Sequence, residues 1–246
     1  MYSCSSGALP YQVQSGDSLW VIAQRYNTTI QEIASANPGL DTVNLSIGQI
    51  ICIPARYNAY QTSAARISPA EQTLSNHMRM LWEQHVYWTR LFILSLAFDL
   101  PDKEAVTDRL LRNAQDFEAA LIPFYGDTAA AKFSDLLKSH LTIAAELVQA
   151  AKDNNTTAAN DAEKRWYENA NQIADFLNSI NPYWSAQEWQ KMLYDHLAMT
   201  KEEAVDILTG KYPDSIVKFE DIERQALMMA DMMTNGIVNQ FPQYFR

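Results

Sequence analysis

A repeated pattern after residue 68 is the feature that most constrains how this chain can fold. Two apolar residues, two polar residues, a histidine and another apolar residue recur in that order around His85, His140 and His196. The histidines are 55 and 56 residues apart. A period of this length corresponds to one supersecondary unit, here a pair of helices with their turns. It predicts three helical hairpins of one design packed as a bundle. Helical patterning without a true repeat is the alternative interpretation.

Six amphipathic segments account for residues 68–246, each with apolar residues at helical spacing. Pro, Gly and Asn separate them at positions typical of helix ends. Ser68 is a candidate N-cap for the first segment, Pro69 suits the first helical position, and Glu71 can complete a capping box. We therefore expect an all-α bundle of about six helices. The expected helices are residues 69–98, 102–121, 128–152, 157–180, 185–209 and 214–240.

Residues 11–54 carry a different pattern, in the order strand, helix, helix, strand. Alternation over residues 11–14 and an apolar run over residues 50–53 predict the two strands. Before the second helix, Thr29 and Glu32 form a Thr-x-x-Glu capping box. The sequence over residues 37–39, Asn-Pro-Gly, ends that helix. A small βααβ module is expected here.

Several blocks of this N-terminal part resemble the LysM family from end to end. They are Tyr11-x-Val13-x-x-Gly16-Asp17-Ser18-Leu19-Trp20-x-Ile22-Ala23, then Asn37-Pro38-Gly39-Leu40, then Leu45-x-x-Gly48-Gln49-x-Ile51-x-Ile53-Pro54. The resemblance implies a βααβ fold that binds the N-acetylglucosamine units of peptidoglycan or chitin. Such a sugar offers an amide, hydroxyls and an apolar face, so a shallow groove with backbone hydrogen bonds and an aliphatic floor can hold it.

The resemblance places the glycan groove between the loop after the first strand and the loop before the last strand. Gly16 would permit a positive φ or close approach by the sugar. Purely structural roles are the alternative, because Asp17 or Ser18 could cap the first helix and Leu40 could close the core. The candidate glycan-binding residues are Gly16, Asp17, Ser18 and Leu19, facing Pro38, Gly39, Leu40 and Asp41.

The two cysteines of the chain, Cys4 and Cys52, both lie in this small N-terminal part. Two cysteines flanking a tiny domain favour a disulfide over a metal site, which would need four ligands. Two reduced, half-buried thiols are the alternative. The expected domains are a module over residues 1–54, a polar linker over 55–67 and the bundle over 68–246.

The repeated histidines, with two glutamates, are the ligand types of a metal site inside a helical bundle. His140 and His196 lie on apolar stripes of their helices, and so do Glu203 and Glu223. The Glu-x-x-His motif of di-iron bundles is absent, and Glu83-x-His85 spaces its groups about 200° apart around a helix. Buried histidines with ordinary hydrogen-bond partners are the alternative. The candidate metal ligands are His85, His140, His196, Glu203 and Glu223, and no other cofactor is indicated.

The helical part also resembles a family of uncharacterised bacterial helical proteins over most of residues 78–245. In other members the last helix carries histidines near the positions held here by Glu223, Gln225 and Met228, which weakens a metal or proton-transfer role in this chain. That family brings no established activity and therefore supports the fold more than a function. The resemblance rests on Arg109-Leu110-Leu111-Arg112-Asn113, Pro123-Phe124-Tyr125-Gly126, His140-Leu141-x-Ile143-Ala144-Ala145-Glu146-Leu147-Val148 and Met229-Ala230-Asp231-Met232.

Charge and composition restrict the partners. A formal net charge of −10 argues against nucleic acid or an anionic membrane. The longest apolar stretch, residues 91–98, is far shorter than the roughly 20 residues that a bilayer span needs. The first four residues do not resemble the start of a signal peptide, and we expect cytoplasmic synthesis. Export by another route, release by lysis, and a chain that is already mature are the three alternatives. No phosphate-binding loop, Gly-x-Ser-x-Gly or His-Glu-x-x-His motif occurs.

These features together predict a non-enzymatic glycan-binding protein of the cell wall or spore envelope. Its LysM-like module would attach to an N-acetylglucosamine-containing wall polymer, namely peptidoglycan or a chitin-like glycan. The bundle would be a scaffold or assembly surface, and a homo-oligomer or filament is one form that it could take. The alternative is a wall-tethered, ferritin-like bundle that binds metal.

Overall fold

The chain divides into two units, residues 1–66 and residues 67–246. The predicted linker over residues 55–67 lies, apart from Ile67, outside the described residues, and the domain boundaries remain predictions. The computed structural model describes residue 4 and residues 8–14, 17–26, 28–41, 45–54 and 67–246.

The N-terminal unit has the predicted βααβ order. Its strands pair antiparallel, with Ala8 opposite Pro54 and Gln12 opposite Ile50. The first strand begins three residues before Tyr11, because its extent is set by backbone pairing with the second strand rather than by side-chain alternation. The elements are β1 (Ala8–Gln12), α1 (Leu19–Arg25), α2 (Ile30–Ala36) and β2 (Ile50–Pro54).

Local capping defines where the second short helix begins. The Glu32 backbone N–H donates to the Thr29 hydroxyl at 3.1 Å, and the Thr29 N–H donates to the Glu32 carboxylate at 2.9 Å. This reciprocal pair is the predicted capping box, which satisfies backbone donors that a helix start leaves unpaired. Apolar residues from α1, α2 and β2 then meet in one small core with the residue that follows β1. Its buried members are Val13, Leu19, Ile22, Ala23, Ile33, Ile51 and Ile53.

A disulfide joins Cys4 to Cys52 and confirms the expected cross-link within the module. The two residues are 48 positions apart in the chain. Closing a loop of that length removes unfolded-state entropy worth about 4 kcal/mol in the chain-entropy model. A unit with so few core residues depends on such a contribution, because small domains bury too little apolar surface to be stable by packing alone.

The C-terminal unit is helical throughout, as predicted. Its second helix contains a break at Gly126, where φ is +74°, so that this helix forms two helical segments and the bundle has the expected six. The break lies later than residue 121 because Pro123 is accommodated within the helix, whereas the positive φ of Gly126 cannot continue it. The helices are α3 (Pro69–Ala97), α4 (Lys103–Lys152), α5 (Thr156–Ile180), α6 (Ala186–Leu208) and α7 (Tyr212–Gln240), followed by a short 3₁₀ turn (Pro242–Tyr244).

Neighbouring helices pack as three hairpins around a shared core. Helix α3 pairs with the first segment of α4, the second segment of α4 with α5, and α6 with α7, while α7 also packs on α3 and closes the bundle. The core is rich in large rings that are almost fully buried. They include Trp82, Phe117, Phe133, Trp166, Trp184 and Trp189. Across the described residues no helix is both long and apolar enough to cross a bilayer.

Candidate functional site

Asp17 has its carboxylate occupied by contacts inside the module. Its Oδ2 accepts hydrogen bonds from the Tyr11 hydroxyl at 2.5 Å and from the Gln14 backbone N–H at 2.8 Å. Arg25 lies 3.4 Å from the other carboxylate oxygen, and the Asp17 side chain is only 4% exposed. The residue therefore braces the loop after β1 against α1, and its carboxylate offers little surface to a ligand.

The next two residues also have structural roles. The Ser18 hydroxyl accepts from the Val21 backbone N–H at 3.2 Å, which caps the start of α1. Leu19 is buried in the core of the module, at 3% exposure. Any contact between Leu19 and a glycan would have to come from its backbone, because its side chain is turned to the core. Gly16, the first candidate in this loop, lies outside the described residues.

Asn37 anchors the loop that follows α2. Its side-chain amide donates to the carbonyls of Ile33 and Cys52, both at 2.7 Å, and its Oδ1 accepts from the Cys52 N–H at 2.7 Å. The residue is 6% exposed. The sequence indicated Asn37 as part of a helix stop and of the LysM-like pattern, but no local signal reveals its bonds to Cys52, 15 residues later.

The residues after Asn37 form the accessible part of the predicted site. Pro38, Gly39 and Asp41 are exposed, and Leu40 is half-buried against the core of the module. Gly39 has φ +86°, and a Cβ placed there would meet no atom within 4 Å. The Leu40 N–H donates to the Asn37 carbonyl at 3.0 Å, which ties this loop to its anchor. Backbone groups and one aliphatic side chain are thus presented on a turn that hydrogen bonds connect to Asn37.

The helical unit brings its three repeated histidines together. The ring centroid of His85 lies 6.1 Å from that of His140 and 5.7 Å from that of His196. All three residues are buried, at 2%, 2% and 3% exposure. The 55- and 56-residue spacing therefore corresponds to a common centre within the bundle.

Each histidine is held by an amide side chain of the other helix in its hairpin. His85, His140 and His196 place Nδ1 at 3.2, 3.0 and 3.2 Å from the amide oxygens of Asn113, Asn169 and Gln225, respectively. Each amide nitrogen donates in turn to the carbonyl four residues before the histidine, at 3.0 to 3.1 Å. We call each unit of histidine, amide and carbonyl a histidine clamp.

The clamps determine the protonation of the imidazole rings. Because each amide nitrogen donates to a carbonyl, its oxygen must be the acceptor, so Nδ1 carries the proton and the neutral ring keeps a lone pair on Nε2. Burial lowers the pKa of His85 to about 4 and that of His196 to about 3. Burial also lowers the pKa of His140 well below its ordinary value, and its two neighbouring histidines act in the same direction. The rings are therefore neutral at physiological pH.

The two candidate glutamate ligands, Glu203 and Glu223, have partners that do not belong to the histidine clamps. Glu203 is 1% exposed and forms an ion pair with Arg90. Burial raises the pKa of Glu203 to about 7, although the Arg90 guanidinium acts against this shift. Glu223 accepts a hydrogen bond from the Tyr87 hydroxyl at 3.0 Å. Over the residues that the structure describes, no three histidine, cysteine or acidic side chains are arranged to hold a metal ion. Metal binding by the histidines stays a prediction.

Comparison with known proteins identifies the N-terminal module. The family model described as the LysM domain matches residues 11–54, which confirms the resemblance seen in the sequence. A curated relative, the secreted LysM effector Blys4 of Beauveria bassiana (strain ARSEF 2860), is 42% identical over 50 residues. That match covers 20% of this chain and 29% of the relative, so less than a third of the relative is represented. No solved structure matches the chain.

Proposed function

We propose that residues 11–54 bind a glycan built of N-acetylglucosamine units and attach the protein to a wall polymer. The observation that carries this proposal is the LysM match over residues 11–54, which include parts or all of the four elements of the βααβ module. It is supported by the exposed turn over residues 38–41, which Asn37 holds in place. The proposed ligand contacts are those predicted from the sequence, except that Asp17 and Leu19 would contribute their backbone groups, because their side chains are buried.

The chemistry of the turn suits an N-acetyl sugar. Exposed peptide groups can exchange hydrogen bonds with the sugar amide and hydroxyls, and the half-buried Leu40 offers an aliphatic surface to the apolar ring face. Gly39 has no side chain, so the glycan can approach the backbone closely. A groove of this kind needs no charged residue, which is consistent with a neutral glycan ligand.

We further propose that the wall polymer is peptidoglycan and that the protein lies in the cell wall or spore envelope. Support comes from the resemblance of the helical part to bacterial proteins and from the Cys4–Cys52 disulfide, since disulfides persist outside reducing cytoplasm. The relative with a similar module is a secreted protein by its description. A chitin-like polymer shares the N-acetylglucosamine unit and is therefore the comparison that any binding assay has to include.

For the helical unit we propose a non-catalytic role as a scaffold or assembly surface. This is supported by the histidine clamps, because the three most versatile side chains of the bundle are engaged in holding helices together. The protein should accordingly leave a turbid suspension of peptidoglycan unchanged. A loss of turbidity that depends on the helical unit would contradict this part of the proposal.

Sedimentation of the full-length protein with insoluble polymer tests the binding function. We expect the protein to pellet with purified peptidoglycan and with chitin, and to be released by soluble N-acetylglucosamine oligomers but not by cellulose oligomers, which lack the acetamido group. Tighter binding to peptidoglycan than to chitin would support the assignment to peptidoglycan. A protein that stays in the supernatant with both polymers would contradict the proposal.

A matched pair of glycine variants tests the position of the site. Gly39 and Gly48 are both exposed and have nearly the same backbone conformation, with φ of +86° and +85°. Replacing either by leucine adds similar backbone strain, about 1 to 2 kcal/mol. We expect Gly39→Leu to weaken glycan binding at least about tenfold, since one lost contact of 1.4 kcal/mol has that effect, whereas Gly48→Leu should bind normally. Equal losses of glycan affinity in the two variants would mean that the ligand does not bind at the turn over residues 38–41.

A further inference from the structure

The helical unit contains a cavity next to the histidine clamps. It has a volume of about 130 Å³ and is lined by residues of α3, α4, α5 and α6. The residues four positions after the three histidines, Thr89, Ala144 and Thr200, all belong to its wall. Protein interiors contain few voids larger than a water molecule, and an engineered cavity of roughly 150 Å³ binds benzene. The cavity is therefore large enough to hold one small ring.

The inner wall of the cavity consists of hydrocarbon groups. The Thr89 hydroxyl donates to the His85 carbonyl at 2.7 Å. The indole nitrogen of Trp166 and the hydroxyl oxygen of Thr200 are almost completely inaccessible, so they are turned away from the cavity. A buried water needs roughly two to four polar partners, which this wall does not offer. The wall therefore favours an apolar molecule over water.

The charged residues of the wall lie at its outer edge, between α5 and α6. Lys201 Nζ lies 2.6 and 2.7 Å from the two carboxylate oxygens of Glu163, and both residues line the cavity. Their side chains are 44% and 29% exposed, so this edge is the side from which a ligand can enter. A charged ligand would find no unpaired counter-charge here and would lose its hydration inside. The ligand should therefore be uncharged.

The histidine repeat shows why this space exists. The eighth residue after each clamp histidine lines the cavity, and these residues are Ile93, Val148 and Ala204. The third hairpin thus has a methyl group where the other two have larger, branched side chains. Side-chain volume is missing at the level where the three hairpins meet, so the size of the cavity depends directly on Ala204.

We propose that this cavity binds an uncharged, wholly apolar molecule with about the volume of a benzene ring, that is, a small hydrocarbon. Transfer of such a molecule from water is favourable in proportion to the apolar surface that becomes buried. The ligand also supplies the van der Waals contacts that a void denies to the side chains around it. The site lies within residues 67–246 and does not depend on glycan binding by the module.

Benzene is the probe, and phenol is its matched control, because phenol has the same ring with one added hydroxyl. Each is titrated into the full-length protein while the side-chain methyl signals are followed by NMR, with the Ile93 signal assigned from Ile93→Val. We expect benzene to shift the signals of Ile93, Leu141 and Val148 in a saturable way. Phenol should bind at least about tenfold more weakly, because its hydroxyl loses water and finds no partner in the wall.

Two substitutions change the cavity volume in opposite directions. Ala204→Val gives the third hairpin the side chain that the second has at Val148. It should weaken benzene binding at least about tenfold and raise the melting temperature by about 2 to 4 °C. Val148→Ala enlarges the cavity and should allow naphthalene to bind, which the unaltered protein should exclude. Ala119→Val is the matched control and should leave benzene affinity unchanged, since Ala119 is exposed on α4 and does not line the cavity.

Three results would overturn the proposal. The first is the absence of saturable methyl shifts with benzene up to its solubility. The second is equal affinity for benzene and phenol, which would mean that the wall offers a polar partner. The third is an equal effect of Ala204→Val and Ala119→Val on benzene affinity, which would place the probe outside this cavity. If Ala204→Val does not fold, failure of Val148→Ala to bind naphthalene takes the place of the third result.

Discussion

At the scale of single residues, buried amide side chains connect backbone segments that are distant in sequence. Asn37 donates to two carbonyls and accepts from one N–H in the module. Asn113, Asn169 and Gln225 each accept from a histidine and donate to a carbonyl in the bundle. A carboxamide can do this because it carries a donor and an acceptor on one planar group. Replacing it leaves several buried groups unpaired at once.

Asn37→Ala should destabilise β2 and the turn over residues 38–41. The change leaves the N–H and carbonyl of Cys52 without their side-chain partner, at a cost of about 3 kcal/mol for two buried groups. Amide hydrogen exchange over residues 50–54 should accelerate about 100-fold, the factor that corresponds to such a loss. Mass spectrometry of the full-length protein measures it.

Gln49→Ala is the control for this substitution. The Gln49 side chain also accepts from a backbone N–H, that of Ser46 at 3.1 Å, but at an exposed position where water can replace it. We expect a change below about 0.5 kcal/mol. Similar exchange rates in the two variants would mean that the buried bonds of Asn37 do not stabilise the strand.

At the scale of elements, a close approach between α7 and the turn before α6 holds the third hairpin. Trp184 is fully buried, and its indole N–H donates to the Met232 carbonyl at 3.2 Å. A Cβ at Gly236 would lie 1.9 Å from that indole nitrogen. Because Gly236 has no side chain, the Trp184 ring can pack directly against α7. This contact matters more at position 236 than the low helix propensity of glycine.

Gly236→Ala should destabilise the bundle by about 2 to 4 kcal/mol, because overpacking and loss of the indole hydrogen bond outweigh the gain in helix propensity. Thermal unfolding followed by circular dichroism measures the change. Asn235→Ala, at the exposed neighbouring position, should be neutral or slightly stabilising. An equal or higher melting temperature for Gly236→Ala would show that the indole moves away at no cost.

At the scale of the whole helical unit, the three hairpins meet where the three histidine clamps lie. The imidazoles are neutral in the folded protein and gain protons more readily in the unfolded chain, because burial lowers their pKa in the fold. The neutral histidines therefore contribute fully to the free energy of unfolding above pH 6.5, which is about their pKa in the unfolded chain. This contribution is lost as the pH falls towards their pKa values in the folded protein. Glu203 acts in the opposite direction between about pH 4.5 and 7, since its folded pKa is raised.

Acid should accordingly destabilise the bundle between pH 6.5 and 4.5. Three histidines and one opposing glutamate correspond to a net uptake of up to about two protons on unfolding, or about 2.7 kcal/mol per pH unit. His196→Gln should lower this slope by about 1.4 kcal/mol per pH unit. Urea unfolding of the full-length protein at a series of pH values measures both slopes.

His77→Gln provides the comparison for the acid prediction. His77 lies on the exposed face of α3, outside the histidine clamps, so its replacement should leave the slope unchanged. A slope that is equally reduced by both substitutions, or reduced by neither, would mean that the buried rings do not control the acid stability of the bundle.

Much of the fold could be predicted from the sequence because it depends on local patterns. The breaks between helices follow Pro, Gly and Asn, and the start of α2 follows the capping box of Thr29 and Glu32. The LysM pattern predicted the βααβ order, and the spacing of the three histidines predicted their shared position among the hairpins. Each of these signals is either a pattern of a few neighbouring residues or a regular spacing along the chain. Both can be recognised without knowledge of the tertiary contacts.

Only the tertiary structure decided which side chains meet across elements. Asn113 and Asn169 are 56 residues apart, like His140 and His196, yet the pairing of these amides with the histidines depends on how each helix is rotated about its axis. The same rotation takes Glu203 to Arg90 and leaves Thr200 beside a cavity. Such contacts arise from packing between segments tens of residues apart, where a shift of one position along a helix turns a side chain by about 100°.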